Sequence, residues 1–241
     1  MSRVASGPAL SSAVPVVVRG AAVLLGTGVV LFGILWGIGW LVTAVEPGTA
    51  VEAVDVGVLW WLVAHRVPAL DTVSLYGGDL ASTTTTLAAG LVAGVVAALL
   101  LRRWWPVLLL AVALVGELTL FLNTAILVGR PRPAVPHLDA ALPPTSSFPS
   151  GHTAAAICLY GGVAAIVWRV VSAWWRWIVL GVAVALVLAV MLSRLYRGAH
   201  HPTDVLASVL FAVPWLLVTT RVCAPRHGQT PDQSHPVVTS R

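Results

Sequence analysis

Three short segments hold nearly all the reactive side chains of this 241-residue chain: Gly129 to Pro133 (GRPRP), Phe148 to His152 (FPSGH) and Ser193 to Asp204 (SRLYRGAHHPTD). Taken singly, each has an ordinary reading as a stiff loop, a helix cap or a histidine at an interface. Taken together, they supply what phosphoryl transfer without a metal requires. A phosphate spreads charge over several oxygens, so planar bidentate donors suit it, and Arg132 and Arg194 are the obvious pair. Backbone N–H groups at a helix start add further donors, and the turn Ser150-Gly151-His152 opens such a helix. Transfer also needs a nucleophile and an acid, roles that His200 and His152 can fill because imidazole titrates near neutral pH.

His200 is preferred over His201 on spacing. Asp204 lies four residues beyond His200, close enough around a helix start to accept its ring N–H. His201 precedes Pro202, which biases its backbone toward an extended conformation, and reads as a loop residue.

The elements that position these segments follow from composition. Apolar residues make up 58% of the chain and charged residues only 10%, with a mean hydropathy of +0.92. That excludes a soluble globular domain. A net charge of +5 and a pI near 10.2 could suggest nucleic acid, but all 14 basic residues are arginines at the ends of apolar runs, and no basic stripe forms. No nucleic-acid partner is expected. Cys158 and Cys223 read as small apolar residues rather than a disulfide framework.

Six apolar runs approach or exceed the length that spans a bilayer at 1.5 Å per residue: about 20–45, 82–101, 104–128, 152–171, 177–192 and 203–220. The reading is an all-α integral membrane protein, a six-helix bundle spanning 20–220, with motif loops at 129–152 and 193–204. Residues 1–19 form a cytoplasmic segment and 221–241 a disordered cytoplasmic tail. The first run reads as an uncleaved anchor; Gly33 and Gly37 in it either admit a close neighbour or are simply tolerated in lipid. Residues 46–80, with Glu46, Glu52, Asp55, Asp71 and Asp79, read as an amphipathic helix at the interface and not as a span. Arg3, Arg19, Arg102, Arg103, Arg169, Arg176, Arg221 and Arg226 then share one face, which the positive-inside bias makes cytoplasmic. Arg130, Arg132, Arg194 and Arg197 break that bias on the opposite face, which marks them as candidates for function. His137 and Asp139 read as solvated residues of a proline-stiffened loop. Glu117, inside the third span, should face the bundle interior, either hydrogen-bonded to a hydroxyl of a neighbouring helix or part of a polar path under the site.

The stretch from 129 to 204 resembles the type 2 phosphatidic acid phosphatase superfamily, whose signature is Lys-x6-Arg-Pro, Pro-Ser-Gly-His and Ser-Arg-x5-His-x3-Asp. Here these are Arg132-Pro133, Pro149 to His152, and Ser193-Arg194 with His200 and Asp204. The resemblance implies that Arg132, Ser150, Gly151 and Arg194 hold phosphate, that His200 attacks phosphorus to form a phosphohistidine, and that Asp204 orients His200. His152 then protonates the leaving oxygen and later activates water. The family lysine is absent, since position 125 is alanine, and Arg130 or Arg197 is the expected substitute.

A metal-independent lipid phosphatase on the extracytoplasmic membrane face is therefore expected, with no cofactor. Its candidate substrates are a polyprenyl diphosphate, phosphatidate or phosphatidylglycerol phosphate. A lipid-linked phosphotransferase and a catalytically silent lipid-phosphate binder are the competing expectations. The haloperoxidase branch fits poorly, because its members are soluble and this chain is mostly spans.

Overall fold

The computed structural model describes residues 9–45, 48–139, 142 and 146–225, with side chains from residue 17 onward. The expected N-terminal segment up to residue 8 and the tail from 226 lie outside the described residues. The described residues form eight α-helices: α1 (Ala9–Trp40), α2 (Ala50–Ala64), α3 (Pro68–Asp79), α4 (Thr83–Leu101), α5 (Trp105–Val128), α6 (Gly151–Val170), α7 (Arg176–Tyr196) and α8 (Pro202–Cys223). A π-helical turn over Leu41–Val45 ends the first. Six helices are long and apolar enough to cross a membrane, and they coincide with the six expected spans to within a turn, apart from α1, which starts before residue 20. α7 runs one turn further than expected, to Tyr196, so Arg194 sits in its last turn and not in a loop. Gly198, at φ +75°, reverses the chain there; a Cβ on it would crowd Val135 and the Pro136 carbonyl.

α6 lies at the centre of the bundle against α5, α7 and α8, while α1 packs on α5 and α8. The largest core joins Leu35, Leu114, Phe148, Ile157, Leu159, Phe211 and Trp215. Trp215 donates its indole N–H to the Ala113 carbonyl at 3.0 Å, and Gly116 leaves room for its ring. Small residues also bring α4 and α5 together: Gly94 faces Val107, and Gly90 faces Leu114. At Gly33 and Gly37, by contrast, an added Cβ would meet nothing within 4 Å among the described residues. Cys158 and Cys223 are free thiols.

The expected interfacial helix over 46–80 is, within the described 48–80, two helices, broken at Val67-Pro68 where proline's fixed φ and missing N–H end the helical ladder. α2 reverses the expected amphipathic arrangement. Val51, Val54, Trp60 and Trp61 are exposed, while its carboxylate Asp55 is buried. α3 packs along α7. Arg66, between α2 and α3, donates to the Tyr196 carbonyl at the end of α7 at 2.8 Å and to the Pro136 carbonyl at 2.8 Å, a favourable place for a cation beside a helix C-terminus.

Candidate active site

All three motif segments meet at one end of α5, α6, α7 and α8, and they are stitched by backbone bonds. The Ser147 N–H donates to the Arg130 carbonyl at 2.8 Å and the Ser150 N–H to the Asp204 carbonyl at 3.3 Å. The Ser147 hydroxyl donates to the Pro131 carbonyl at 2.9 Å, and Ser208 on α8 donates to the Ser150 carbonyl at 2.9 Å. The Phe148–Pro149 peptide is cis.

A cavity of about 320 Å³ opens beside this junction, lined by Arg132, Gly151, His152, Arg194 and His200 at one end and by α4 and α5 side chains below. Two of the lining cations are only partly engaged. Arg132 Nη1 donates to the Ala199 carbonyl at 2.7 Å, and Arg194 Nη2 donates to Ser193 Oγ at 3.1 Å. The Nε of each is buried without a hydrogen-bond partner. Buried N–H groups of this kind are rare in folded chains, and two arginines with spare donors beside one cavity form an anion cradle. Burial pushes Arg132 below the ordinary arginine value, against the pull of Asp204 and Asp139; arginine starts high enough to remain cationic.

His200 is buried, and its tautomer follows from its partners. Nδ1 lies 2.6 Å from the Ser147 carbonyl, which can only accept, so Nδ1 carries the proton. Nε2 therefore holds the lone pair, 3.5 Å from Arg132 Nη1. Burial, and secondarily the charge of Arg132, pushes the His200 pKa down to about 3 despite the opposing pull of Asp204. At neutral pH the ring is neutral, as a nucleophile must be.

Asp204 does not orient His200 as expected. Its Oδ2 stands 3.8 Å from His200 Nδ1, beyond a hydrogen bond, and instead receives the His201 backbone N–H at 2.8 Å and lies 3.2 Å from His201 Nδ1. The reason is position: Asp204 is in the first turn of α8, where a carboxylate is drawn to the helix's own unpaired N–H groups. The ring N–H of His200 goes to a backbone carbonyl, and Asp204 steadies the His200 loop from the other side.

Arg130 and Arg197 do not stand at the cavity in place of the missing lysine; both are held by carboxylates beside it. Arg130 Nη1 contacts Asp204 Oδ1 at 2.5 Å and Thr203 Oγ1 at 2.7 Å, and its Nη2 contacts Asp55 at 3.2 Å. Asp55 in turn accepts the Thr203 N–H at 3.1 Å and the Thr203 hydroxyl at 2.5 Å. Arg197 donates to Asp139 at 2.5 Å, to Ser74 Oγ at 3.2 Å and to the Leu138 carbonyl at 2.9 Å. Neither lines the cavity. Asp139 is thus no free loop residue: it pairs with both Arg197 and Arg194, the latter at 3.4 Å. His137 is exposed, as expected of a loop residue, with Nε2 2.9 Å from the Pro133 carbonyl.

Ser150 caps α6 through its hydroxyl, which accepts from the Thr153 N–H at 3.4 Å and the Thr153 hydroxyl at 3.0 Å, and it is fully buried. Its side chain serves the helix start; Gly151 and His152 are the residues of that turn that reach the cavity. A Cβ at Gly151 would strike the Phe121 ring, so glycine lets α5 close on the α6 N-terminus. Glu117 and Ala125 also line the cavity from α5. Asp55 and the Ser147 carbonyl are the participants that sequence reading missed.

A family model described as PAP2 superfamily matches residues 104–227, the stretch from α5 through α8 that contains every lining cation and histidine. No curated protein matches the chain. Among solved structures the chain is similar to one titled as the crystal structure of the first transmembrane PAP2 type phosphatidylglycerolphosphate phosphatase from Bacillus subtilis. The identity is 24% and the TM-score 0.66, over 81% of this chain and 94% of that one. At that identity the likeness is one of fold.

Proposed function

The chain belongs to the PAP2 superfamily, and as a membrane phosphatase of that family we propose that it hydrolyses a lipid phosphate through a phosphohistidine formed on His200. The observation that carries this reading is the pairing of an unprotonated, cavity-facing His200 Nε2 with the spare donors of Arg132 and Arg194.

In the first step Nε2 attacks phosphorus while the ester P–O bond breaks. A proton brought in by the phosphate monoanion passes through His152 to the departing lipid oxygen, so the lipid leaves as an alcohol. Arg132, Arg194 and the α6 N-terminal amides at Gly151 and His152 balance the charge on the non-bridging oxygens. In the second step neutral His152 takes a proton from water, the oxygen attacks phosphorus, and the P–N bond breaks to free phosphate and restore His200. Asp204 and Arg130 hold the α8 start, and the Ser147 carbonyl holds the His200 tautomer.

A lipid substrate is supported by the lower cavity. Leu114, Leu118 and Phe121 line it, and so do Leu87, Leu122 and Ile126, which are also exposed on the flank of the bundle. A hydrocarbon tail can enter from the bilayer between α4 and α5 while the head group meets the arginines. The outward side suits the site, since Arg102, Arg103, Arg169, Arg176 and Arg221 cluster at the far ends of the same helices.

The test is phosphate release by the detergent-purified chain from phosphatidate, phosphatidylglycerol phosphate and a polyprenyl diphosphate. Release is expected to be inhibited by vanadate, which mimics the trigonal bipyramidal transition state, and to survive chelators. Loss of all activity with EDTA would overturn the metal-independent scheme. Appearance of a phosphorylated acceptor in place of free phosphate would replace hydrolysis by transfer.

A further inference from the structure

Below the phosphate end, the buried polar side chains that line the cavity stand at one level. Helix packing fixes that level in three layers. Outermost, Gly151 at the α6 start faces Phe121 of α5. Innermost, Gly90 of α4 faces Leu114 of α5 and Leu159 of α6, closing the floor. Between them, one turn in from Gly151 and one turn out from Gly90, stand Glu117 of α5 and Thr86 of α4. Both line the cavity, and both are more than nine-tenths buried, at 3% and 4% exposure. The Thr86 hydroxyl is buried without a hydrogen-bond partner. Its ordinary outlet, the carbonyl one turn back on its own helix, is not taken. Glu117, expected either to bond a neighbouring hydroxyl or to belong to a polar path under the site, has no hydrogen bond or ion pair among the described residues and lines the cavity.

Two polar groups left open at one level of an apolar cavity cost stability unless something meets them. The level is one helical turn, about 5.4 Å, beneath the phosphate turn. From this we infer that Glu117 and Thr86 form a subsite for a hydrogen-bonding group placed a few bonds from the phosphorus, as a hydroxyl, amine or ester oxygen is in glycerol- or sphingoid-based lipid phosphates. The carboxyl takes a donated O–H or N–H, and the threonine hydroxyl donates to the ligand oxygen or completes the pair. A polyprenyl phosphate carries only hydrocarbon at that depth and leaves both groups unmet. The subsite therefore selects the lipid class that the phosphate cradle alone does not distinguish, and this assignment rests on the phosphatase reading above.

The experiment compares two substrates of identical acyl chain: a 1-acyl-glycerol 3-phosphate with its free 2-hydroxyl, and the 2-deoxy counterpart built on propanediol. For the wild-type chain kcat/KM is expected to favour the hydroxyl form by about tenfold, the value of one well-placed hydrogen bond. Glu117→Leu and Thr86→Val should each bring that ratio to within about twofold of one, and Glu117→Gln, which still bonds, should keep most of it. Equal efficiency on both substrates in the wild type overturns the subsite. So does a fall in both rates with the ratio unchanged in the two apolar variants, because that is the signature of a structural role. Hydrolysis of neither substrate, nor of any other lipid phosphate, overturns the phosphatase reading itself, whereas equal hydrolysis of both overturns only this inference.

Discussion

The two walls of the cavity are built on opposite principles. Behind the α7–α8 side, out of the cavity itself, the cations are paired: Arg130 joins Asp55 and Asp204, Arg197 joins Asp139 and Ser74, and Arg66 closes the end of α7. On the α4–α5 side the surfaces are mainly leucine, phenylalanine and threonine, and the Thr86 hydroxyl is buried without a partner. A buried ionic network is a poor source of net stability, because desolvation cancels much of its attraction. Its use here is to fix the position of the His200 loop, while the open wall accommodates a tail that varies. The arginines at the seam belong half to each: Arg132 is bonded through Nη1 and Arg194 through both Nη atoms, and the Nε of each is not.

The sharpest way to break this contrast is at His200, whose Nδ1 belongs to the stitched wall and whose Nε2 faces the cavity. His200→Ala should reduce phosphate release by at least about 10³-fold, the scale of losing a catalytic nucleophile. His201→Ala, which removes only a contact to Asp204, should cost less than about tenfold. Comparable losses from the two would mean that the histidines had been assigned wrongly.

The next effect belongs to the stitched wall alone. Asp55→Ala leaves the Thr203 N–H and hydroxyl without their acceptor and removes one of the carboxylates around Arg130. A buried pair broken on one side costs about 3 kcal/mol, a fall of roughly 10 °C in Tm for a chain of this size. A thermal melt in detergent measures it. An unchanged Tm would show that α2 is not anchored through Arg130.

Between the walls, Arg132→Lys keeps the charge but loses the planar fork. A kcat/KM reduced by about 10- to 100-fold is expected, as for a bidentate contact reduced to a point charge. Steady-state kinetics on one lipid phosphate would measure that loss. Rates equal to wild type would mean that Arg132 acts as a bulk cation only.

His200 also predicts how stability responds to pH. Its folded pKa is about 3 against about 6.5 in an unfolded chain. Between those values the unfolded chain binds a proton that the folded chain does not, so the stabilisation present above pH 6.5 is lost as pH falls, at up to about 1.4 kcal/mol per unit. Melts between pH 7 and pH 5 should show this slope, reduced in His200→Gln. A slope that survives the substitution intact would trace the acid sensitivity to other groups.

What the sequence makes legible divides along the same line. The six spans are readable because lipid demands long uninterrupted apolar runs, and the cavity-facing cations and histidines are readable because their spacing around α6 and α8 is local. The stitched wall is not, because its bonds join distant segments and use the backbone. Asp55 reads as an interfacial acid until it is found 148 positions from the Thr203 it holds. The Ser147 carbonyl carries no residue signature, and so Asp204, the visible acid at the right interval, takes its place in a reading from spacing alone. Arg130 and Arg197 look like spare phosphate ligands for the same reason: their charge is visible in the sequence and their carboxylate partners are not.

Ala125 tests whether the open wall is complete. It lines the cavity one turn before the end of α5, where Gly129 donates its N–H back to the Ala125 carbonyl, and the signature that the sequence resembles has a lysine at that position. A lysine restored at 125 would lie near the C-terminal end of the α5 dipole, which favours a cation, but would face Arg132 and Arg194 across the same space. With two arginines already supplying spare donors, a third cation should bind ground state and transition state alike. Ala125→Lys is therefore expected to lower KM by less than about tenfold and leave kcat unchanged. A kcat raised a hundredfold would mean that the arginines alone leave the transferring phosphoryl group undercompensated, and that the open wall owes its emptiness to a missing catalytic cation and not to the shape of its lipid.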